Sequence, residues 1–421
     1  MKWFVALLLA GTVSAATPEV TFRELNAALK LSLWQDANLW DDKADAVADR
    51  LDWPVESKTD TETSYRRYAP DGTKVLGSQV YSEALYAEAG KVTQVSLVFI
   101  NKGDYANLFL RSGMDADAFR EFQQERRKRL RGFAGAFRQE RDAIEAALRQ
   151  VLGEPRRDRF GQSTQTTENV KRWDWEGHSI LLAAPNNEYI ALRIVPTALA
   201  DANGKAARIT DSKLRELLAK RVQKRPNGDV VVTQIPMVDQ GPKGFCVPAT
   251  WERYLRYVGI PADMYLLSMA AETEFGGGTY ITEMAKSVAG LVRQSGRRIE
   301  KISRNLSIAA VANYVDRGQP LMWGMYQQGE LDYRITNRTN DRKSVKDWDK
   351  WLETIKPDRR DARRYRYDKR TTGHMCLIIG YNKTTDEIAI SDSWGPDFAE
   401  RWITLEEAQH LDQGELYVIA W

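Results

Sequence analysis

The chain has 421 residues, which is long enough for two domains that each bury their own core. Hydrophobic residues make up 43% and charged residues 28% of it, which is typical of a globular protein and excludes a disordered one. The formal net charge of +3 is small for this length, so charge gives no argument for nucleic acid or an acidic membrane surface as a partner.

The first twenty residues, "MKWFVALLLAGTVSAATPEV", have the pattern of a secretory signal. Lys2 supplies the positive start, an apolar run follows, and "VSA" is a small-residue cleavage site. The apolar run is too short to span a bilayer, and the alternative is a buried N-terminal helix. We therefore predict a signal peptide over residues 1–16, and an exported protein, periplasmic or extracellular, without stable membrane insertion.

Residues 17–205 predict an N-terminal α+β accessory domain in which one pattern occurs twice. The helical segments "ADAVADRLDWP" and "DAIEAALRQVLGEP" both end at proline, and alternating strands broken by turn residues follow each. This suggests an internal repeat of one helix and about three antiparallel strands. The domain's histidine, His178, lies on a strand and is interpreted as a polar residue of the sheet. Whether this domain inhibits, targets or dimerises is left open.

Residues 206–228 predict a helical connector, with a helix capped by Asp211 and ended by Arg-Pro-Asn-Gly. A second domain is predicted over residues 229–421. Its strand "VVVTQIPMV" leads to the amphipathic helix "PATWERYLRYVGIP", and the strand-like "PLMWGMY", "HMCLIIGYN" and "EIAISDSW" come later. A helical half followed by a sheet half is the predicted order. We expect a fragment that begins at Asp229 to fold and react without the first domain.

One of the two cysteines has the surroundings of a nucleophile. In "DQGPKGFCVPAT", Cys246 follows Gly244 where a turn becomes a helix, and the free N–H groups and dipole at that end stabilise a thiolate. Such a thiolate needs a base, normally histidine. His178 belongs to the first domain and His410 to a polar terminal helix. His374, on a strand before an apolar run, is therefore the candidate base.

Two further polar residues complete the candidate site. Asp392 in "ISDSWG" ends the strand after that of His374, where it can orient the imidazole. Gln240, held by a Gly-Pro turn six residues before Cys246, is the natural oxyanion donor beside the backbone N–H of Cys246. The second cysteine, Cys376, is predicted to be a buried, inert thiol; a disulfide with Cys246 is the alternative.

These motifs resemble those of papain-like cysteine peptidases. "QGPKGFC" is similar to their Gln-Gly-x-x-Gly-x-Cys, "GHMCLIIGY" to their Gly-His strand and "DSWG" to their Asn-Ser-Trp-Gly. Aspartate in place of asparagine, "CVPAT" and "WITLEEA" look most like the bacterial C39-like peptidases of that clan. The resemblance implies a papain-like α+β fold, with Cys246 as nucleophile, His374 as base and then acid, Asp392 as orienter and Gln240 as oxyanion donor.

Together with the signal pattern, the resemblance implies an exported cysteine peptidase that forms a thioester on a peptide or protein substrate, not nucleic acid, without a metal or organic cofactor. The alternatives are an amidase for another amide, such as a peptidoglycan crosslink, and a non-catalytic binding protein on a papain-like scaffold. Trp394 would shield the bond between His374 and Asp392, or be a core tryptophan. The basic insertion 327–373 is interpreted as a solvated loop with one helix, or as a contact for an acidic substrate or partner. The oligomeric state is left open.

Overall fold

A computed structural model describes residues 20–106, 108, 115–367 and 373–421. The predicted signal peptide lies outside the described residues. The described chain is built around two large antiparallel sheets, one from the N-terminal part and one from the C-terminal part. Within these ranges, no helix combines the length and the apolar character that a membrane crossing requires.

The N-terminal sheet has eight strands, ordered β1-β2-β5-β6-β10-β9-β8-β7, with β3 and β4 as a separate hairpin. The strands are β1 (Val55–Lys58), β2 (Glu62–Tyr68), β3 (Lys74–Val75), β4 (Ser78–Gln79), β5 (Ser82–Glu88), β6 (Lys91–Asn101), β7 (Arg156–Phe160), β8 (Glu168–Trp175), β9 (His178–Ala183) and β10 (Tyr189–Pro196). The order is symmetric about the β6–β10 pair, in agreement with the predicted repeat. Each half contributes four strands instead of about three, because the polar edge strands β1 and β7 lack the apolar alternation that marks a strand.

Helices cover this sheet, and the longest of them is a single helix of 37 residues. The helices are α1 (Phe22–Leu29), α2 (Ala44–Leu51), α3 (Lys102–Ala106), α4 (Ala116–Leu152) and α5 (Thr197–Asp201). On α4, Phe133, Phe137, Ile144 and Leu148 recur at helical spacing and are buried in the core of this sheet. Most of the charged positions between them are exposed or half-buried, with Glu145 as a buried exception, so the basic run of α4 is largely a solvated helix face.

The C-terminal sheet also has eight strands, and β15 at its centre pairs with β12, β14 and β16. The strands are β11 (Val222–Lys224), β12 (Asp229–Val232), β13 (Arg298–Lys301), β14 (Leu321–Tyr326), β15 (Gly373–Asn382), β16 (Glu387–Ser391), β17 (Arg401–Thr404) and β18 (Asp412–Ala420). The helices are α6 (Asp211–Lys220), α7 (Cys246–Tyr257), α8 (Met264–Ala270), α9 (Ile281–Gln294), α10 (Ile308–Val315), α11 (Gly329–Arg342), α12 (Trp348–Asp361) and α13 (Leu405–Leu411). The papain-like order of a helical half and a sheet half is present.

The predicted connector packs with the C-terminal sheet. Leu214 and Leu218 of α6 are fully buried in the core that this sheet shares with its helices, and β11 pairs with β12. Packing therefore groups α6 and β11 with the C-terminal sheet, while the domain boundaries themselves stay a prediction. We use "N-terminal unit" for the described residues of 20–205 and "C-terminal unit" for those of 206–421.

The basic insertion 327–373 forms two packed helices, α11 and α12, instead of a solvated loop with one helix. Two of its arginines are directed inward: Arg338 pairs with Glu407, and Arg342 pairs with Asp229 at 2.7 Å. Both carboxylates are buried and need a counter-charge. Part of the basic excess of this segment therefore neutralises the protein's own core, which weakens the interpretation as a contact for an acidic partner.

The two units share a buried interface. Val98, Tyr189 and Ala191 of the N-terminal unit pack against Val238, Phe245, Ala249, Met264 and Tyr265 of the C-terminal unit. Ion pairs cross the same interface, namely Asp60–Arg221, Glu62–Arg256, Asp104–Lys243 and Arg126–Glu274. Phe245 directly precedes Cys246, so the N-terminal unit reaches the segment that carries the candidate nucleophile.

Candidate active site

Cys246 is the first residue of α7, as the turn-to-helix pattern predicts. Each of the two glycines before it is required for a different structural reason. Gly241 adopts a φ of +65°, which favours glycine over residues with a Cβ atom. At Gly244, a Cβ atom would lie 2.4 Å from the carbonyl oxygen of Gly277, so only glycine allows this close approach. The two glycines together allow the turn that leads into α7, at whose start the Cys246 side chain is partly exposed.

The surroundings of Cys246 favour its thiolate. Burial raises the pKa of the thiol, but a hydrogen bond with His374, the charge of that imidazole and backbone hydrogen bonds from Met375 and Val247 outweigh it. The resulting pKa lies below the ordinary value of a thiol. The N–H of Val247 belongs to the first turn of α7, so the helix start contributes to this effect.

His374 on β15 lies between Cys246 and Asp392. Its Nε2 atom donates a hydrogen bond of 2.8 Å to Oδ1 of Asp392, which leaves Nδ1 as the ring nitrogen for Cys246. Burial lowers the pKa of His374, but the hydrogen bonds and charges of Asp392 and Cys246 raise it overall, to about 10. The arrangement therefore stabilises a thiolate and an imidazolium side by side at neutral pH.

Asp392 directly follows β16 and is fully buried. Burial raises the pKa of this carboxyl group, but the charges of Arg401 and His374 and their hydrogen bonds lower it to about 2. Its second oxygen, Oδ2, accepts from Nε and Nη2 of Arg401 at 2.9 and 2.7 Å. Asp392 is thus an ionised acceptor with both oxygens occupied.

Gln240 lies in the turn before Cys246, and its backbone N–H donates to the carbonyl oxygen of Ser393 at 2.9 Å. This bond joins the glutamine to the segment that carries Asp392. The side-chain Nε2 atom donates to the carbonyl oxygen of Lys243 at 2.8 Å, which uses one of its two N–H groups. The second N–H is the group that an oxyanion would require.

Trp394 covers the imidazole of His374. The two ring centroids are 4.8 Å apart with an interplanar angle of 30°. The guanidinium of Arg401 lies over the same indole ring, 5.1 Å from its centroid. The half-buried indole thus lies over the imidazole that donates to Asp392, a position that fits the shielding role and not that of a fully buried core tryptophan.

The sequence interpretation missed Arg401 on β17. Its guanidinium is 2% exposed and bridges Asp392 to α11, where Nη1 donates to Asp332 Oδ1 at 2.8 Å and to Thr336 Oγ1 at 3.0 Å. A charged residue at the start of an apolar strand is the only signal in the sequence, and it does not identify the partner. The inserted helix α11 therefore supports the candidate site from behind Asp392.

A second buried arginine ties the nucleophile helix to the same segment. Arg253 of α7 donates to Ser391 Oγ at 2.5 Å, to Ser393 Oγ at 3.3 Å and to the carbonyl oxygen of Pro236 at 2.9 Å. Thr250, also on α7, donates to the carbonyl oxygen of Met375 at 3.0 Å. These bonds fix α7 against β15 next to His374 and against the segment at the end of β16 that carries Asp392.

The two other histidines lie apart from this cluster, and the second cysteine lies in the core beside it. His178 is buried in the N-terminal unit, where Trp34 donates to its Nε2 atom at 3.2 Å. His410 of α13 contacts the carbonyl oxygen of Tyr365 at 2.9 Å. Cys376 is fully buried as a free thiol, and burial raises its pKa well above the ordinary value. Among the described residues, no group of three or more His, Cys, Asp or Glu side chains could hold a metal ion.

Comparison with known proteins agrees with the resemblance. Residues 232–416 match the family model described as "Peptidase_C39 like family". A solved structure, the peptidase domain of Streptococcus ComA, a bi-functional ABC transporter involved in a quorum sensing pathway, is similar at 15% identity over 44% of this chain and 96% of that chain. The TM-score between the two structures is 0.27. No curated protein matches the chain.

The family match supports a cysteine peptidase, and the observed helices and antiparallel sheet are consistent with the papain-like α+β fold. Residues 232–416 are thus similar to the C39-like peptidases, over less than half of the chain. The predicted resemblance and fold class are thereby confirmed.

We expect Cys246 to be alkylated by iodoacetamide about 100-fold faster than Cys376, or more, at pH 6. The pKa of Cys246 is lowered and its side chain is partly exposed, whereas the thiol of Cys376 is buried and its pKa is raised. Peptide mapping by mass spectrometry at a series of times measures both rates in one sample. Equal rates, or labelling at Cys376 first, would contradict the assignment of the nucleophile.

Proposed function

We propose that this protein is an exported cysteine peptidase in which Cys246, His374 and Asp392 form a catalytic triad and Gln240 binds the oxyanion. The observation that carries the proposal is the position of His374, which is hydrogen-bonded to Asp392 on one side and to Cys246 on the other. Export is supported by the signal pattern of the first twenty residues.

In the first half of the reaction, the Cys246 thiolate attacks the carbonyl carbon of a peptide bond and a C–S bond forms. The carbonyl electron pair moves to oxygen, where the backbone N–H of Cys246 and the free N–H of Gln240 stabilise the negative charge. When the intermediate collapses, the C–N bond breaks and His374 transfers its proton to the leaving amine. The product is a thioester on Cys246.

In the second half, water hydrolyses the thioester. His374, now neutral, removes a proton from water while the oxygen attacks the carbonyl carbon. The C–S bond then breaks, the carboxylic acid leaves and the thiolate returns. Asp392 remains ionised throughout, because Arg401 and His374 hold its pKa at about 2, and it keeps the imidazole ring in one orientation.

The test is a comparison of substrates with the full mature chain. We expect an unfolded protein such as reduced casein to be cleaved, which creates new N-termini. We also expect a peptidyl-epoxide probe to label Cys246 and to stop the cleavage. The control is the same chain already alkylated at Cys246. Cleavage of crosslinked peptidoglycan alone would indicate the amidase alternative. If the chain neither cleaves these substrates nor is labelled by the probe, an enzymatic function is contradicted and a binding protein is favoured.

A further inference from the structure

Lys243 is a buried lysine in the turn between Gln240 and Cys246. Its side chain is 0% exposed, which is rare for an ammonium group. The Nζ atom lies 3.2 Å from Oδ1 of Asp104, which belongs to α3 of the N-terminal unit. It also lies 4.3 Å from the ring centroid of Tyr68, on β2 of the same unit. The N-terminal unit thus supplies both the counter-charge and an aromatic face for this ammonium.

Asp104 is held in place by its own unit. Its second carboxylate oxygen, Oδ2, accepts from Nδ2 of Asn101 at 2.6 Å, and its backbone N–H donates to Oδ1 of Asn101 at 2.9 Å. The Asp104 side chain is 6% exposed. A carboxylate that is buried and already oriented has a fixed position, so it determines where the Lys243 ammonium can lie.

Three hydrogen bonds join the N-terminal unit to the main chain just before this turn. The Tyr68 hydroxyl donates to the carbonyl oxygen of Asp239 at 2.5 Å. The Asp239 N–H donates to Oε1 of Glu56 at 2.9 Å, and the Met237 N–H donates to Oγ of Ser57 at 2.9 Å. Because all three bonds involve backbone groups of residues 237–239, the N-terminal unit fixes the path of the chain into the turn.

Within the turn, the main chain of Lys243 is hydrogen-bonded to the Gln240 side chain. The carbonyl oxygen of Lys243 accepts from Gln240 Nε2 at 2.8 Å and from the backbone N–H of Phe245 at 2.8 Å. The location of the Lys243 carbonyl group therefore sets the orientation of the Gln240 amide. A displacement of about 1 Å at a catalytic group can lower a rate about 100-fold.

We propose that Asp104 and Tyr68 of the N-terminal unit are positioning residues of the active site. They hold Lys243, and its carbonyl group holds the Gln240 amide in place for the oxyanion. This inference rests on the peptidase function proposed above. It gives the N-terminal unit a part in catalysis that is distinct from covering a cleft or targeting. A fragment that begins at Asp229 would contain Lys243 without its counter-charge, so the inference predicts that this fragment hydrolyses peptides more slowly than the whole chain, although its Cys246 can still react.

The test compares Asp104→Asn with the unmodified full mature chain by two measurements. Peptide hydrolysis creates an oxyanion, whereas alkylation of Cys246 by iodoacetamide does not. We expect Asp104→Asn to lower kcat for hydrolysis about 10- to 100-fold and to change the alkylation rate constant less than about threefold. In a Gln240→Ala background the same substitution should have little further effect on kcat, because both changes act through one amide.

Asp60→Asn is the matched control, because it removes the same charge from another ion pair of the interface, with the buried Arg221 outside the turn. We expect it to leave kcat unchanged. Equal losses in Asp60→Asn and Asp104→Asn, or an unchanged kcat in Asp104→Asn, would overturn the inference. If Asp104→Asn does not fold, Tyr68→Leu is tested, because it removes the aromatic face beside the Lys243 ammonium: a smaller loss of kcat supports the inference, and no loss overturns it. No hydrolysis by the unmodified chain would overturn the proposed function as well.

Discussion

Replacing Cys246 with alanine is expected to lower kcat/KM for peptide hydrolysis by about 10⁴-fold or more, since the C–S bond of the proposed reaction can no longer form. The side chain is small and partly exposed, so we expect the fold to be retained. The measurement is the initial rate on a fluorogenic peptide at neutral pH, with circular dichroism to compare folding.

Cys376→Ala is the matched control for this prediction, because it removes the other thiol of the chain. Cys376 lies on β15 near His374, and its Sγ atom contacts Sδ of Met325 at 3.8 Å in the core. We expect some loss of stability and nearly full activity. Activity that survives in Cys246→Ala, or disappears equally in Cys376→Ala, would disprove the proposed nucleophile.

The second large effect is expected for Arg401→Met, which we predict to lower the free energy of unfolding by about 3–5 kcal/mol at pH 7. The substitution keeps an apolar stem of similar length but leaves the fully buried Asp392 without its guanidinium partner. Arg401→Lys is the control, because it keeps the positive charge but loses the forked geometry of the guanidinium. We expect its loss of unfolding free energy to be smaller than that of Arg401→Met. Urea unfolding of both variants and the unmodified chain measures the differences.

The effect of Arg401→Met should depend on pH in a defined direction. In the unmodified chain the pKa of Asp392 is about 2, below its value in an unfolded chain. Its ionised form therefore contributes stability above about pH 4, and this contribution is lost as the pH falls toward 2. Without Arg401 the pKa rises, and a protonated carboxyl group needs no counter-charge. We expect the difference in unfolding free energy to narrow as the pH falls from about 4 toward 2, and a constant difference over that range would contradict the role assigned to Arg401.

These predictions depend on contacts that the sequence interpretation did not contain. Arg401 and Asp332 are far apart in the sequence, and Lys243 contacts Asp104 across two units, so no local pattern connects either pair. A lysine in a glycine-rich turn is expected in solvent, and a basic insertion is expected on the surface. Lys243 and two arginines of the insertion, Arg338 and Arg342, depart from these expectations for the same reason, since buried carboxylates require a cation nearby.

The sequence by itself determined the class of the C-terminal unit and its candidate chemistry. Short local patterns predict where helices start and where strands end. Such patterns placed Cys246 at a helix start, His374 near the start of a strand and Asp392 after the next strand. The repeat in the N-terminal unit was also visible, apart from its polar edge strands.

Only the tertiary structure decided what surrounds these residues. It placed α11 behind Asp392, through Arg401, and it placed the N-terminal unit against the turn before Cys246, through Lys243. The physical reason is that the pKa of a buried group and the orientation of an amide depend on partners within a few ångströms, whatever their separation along the chain. Local patterns therefore predicted which groups could react, and long-range packing decided what holds them in position.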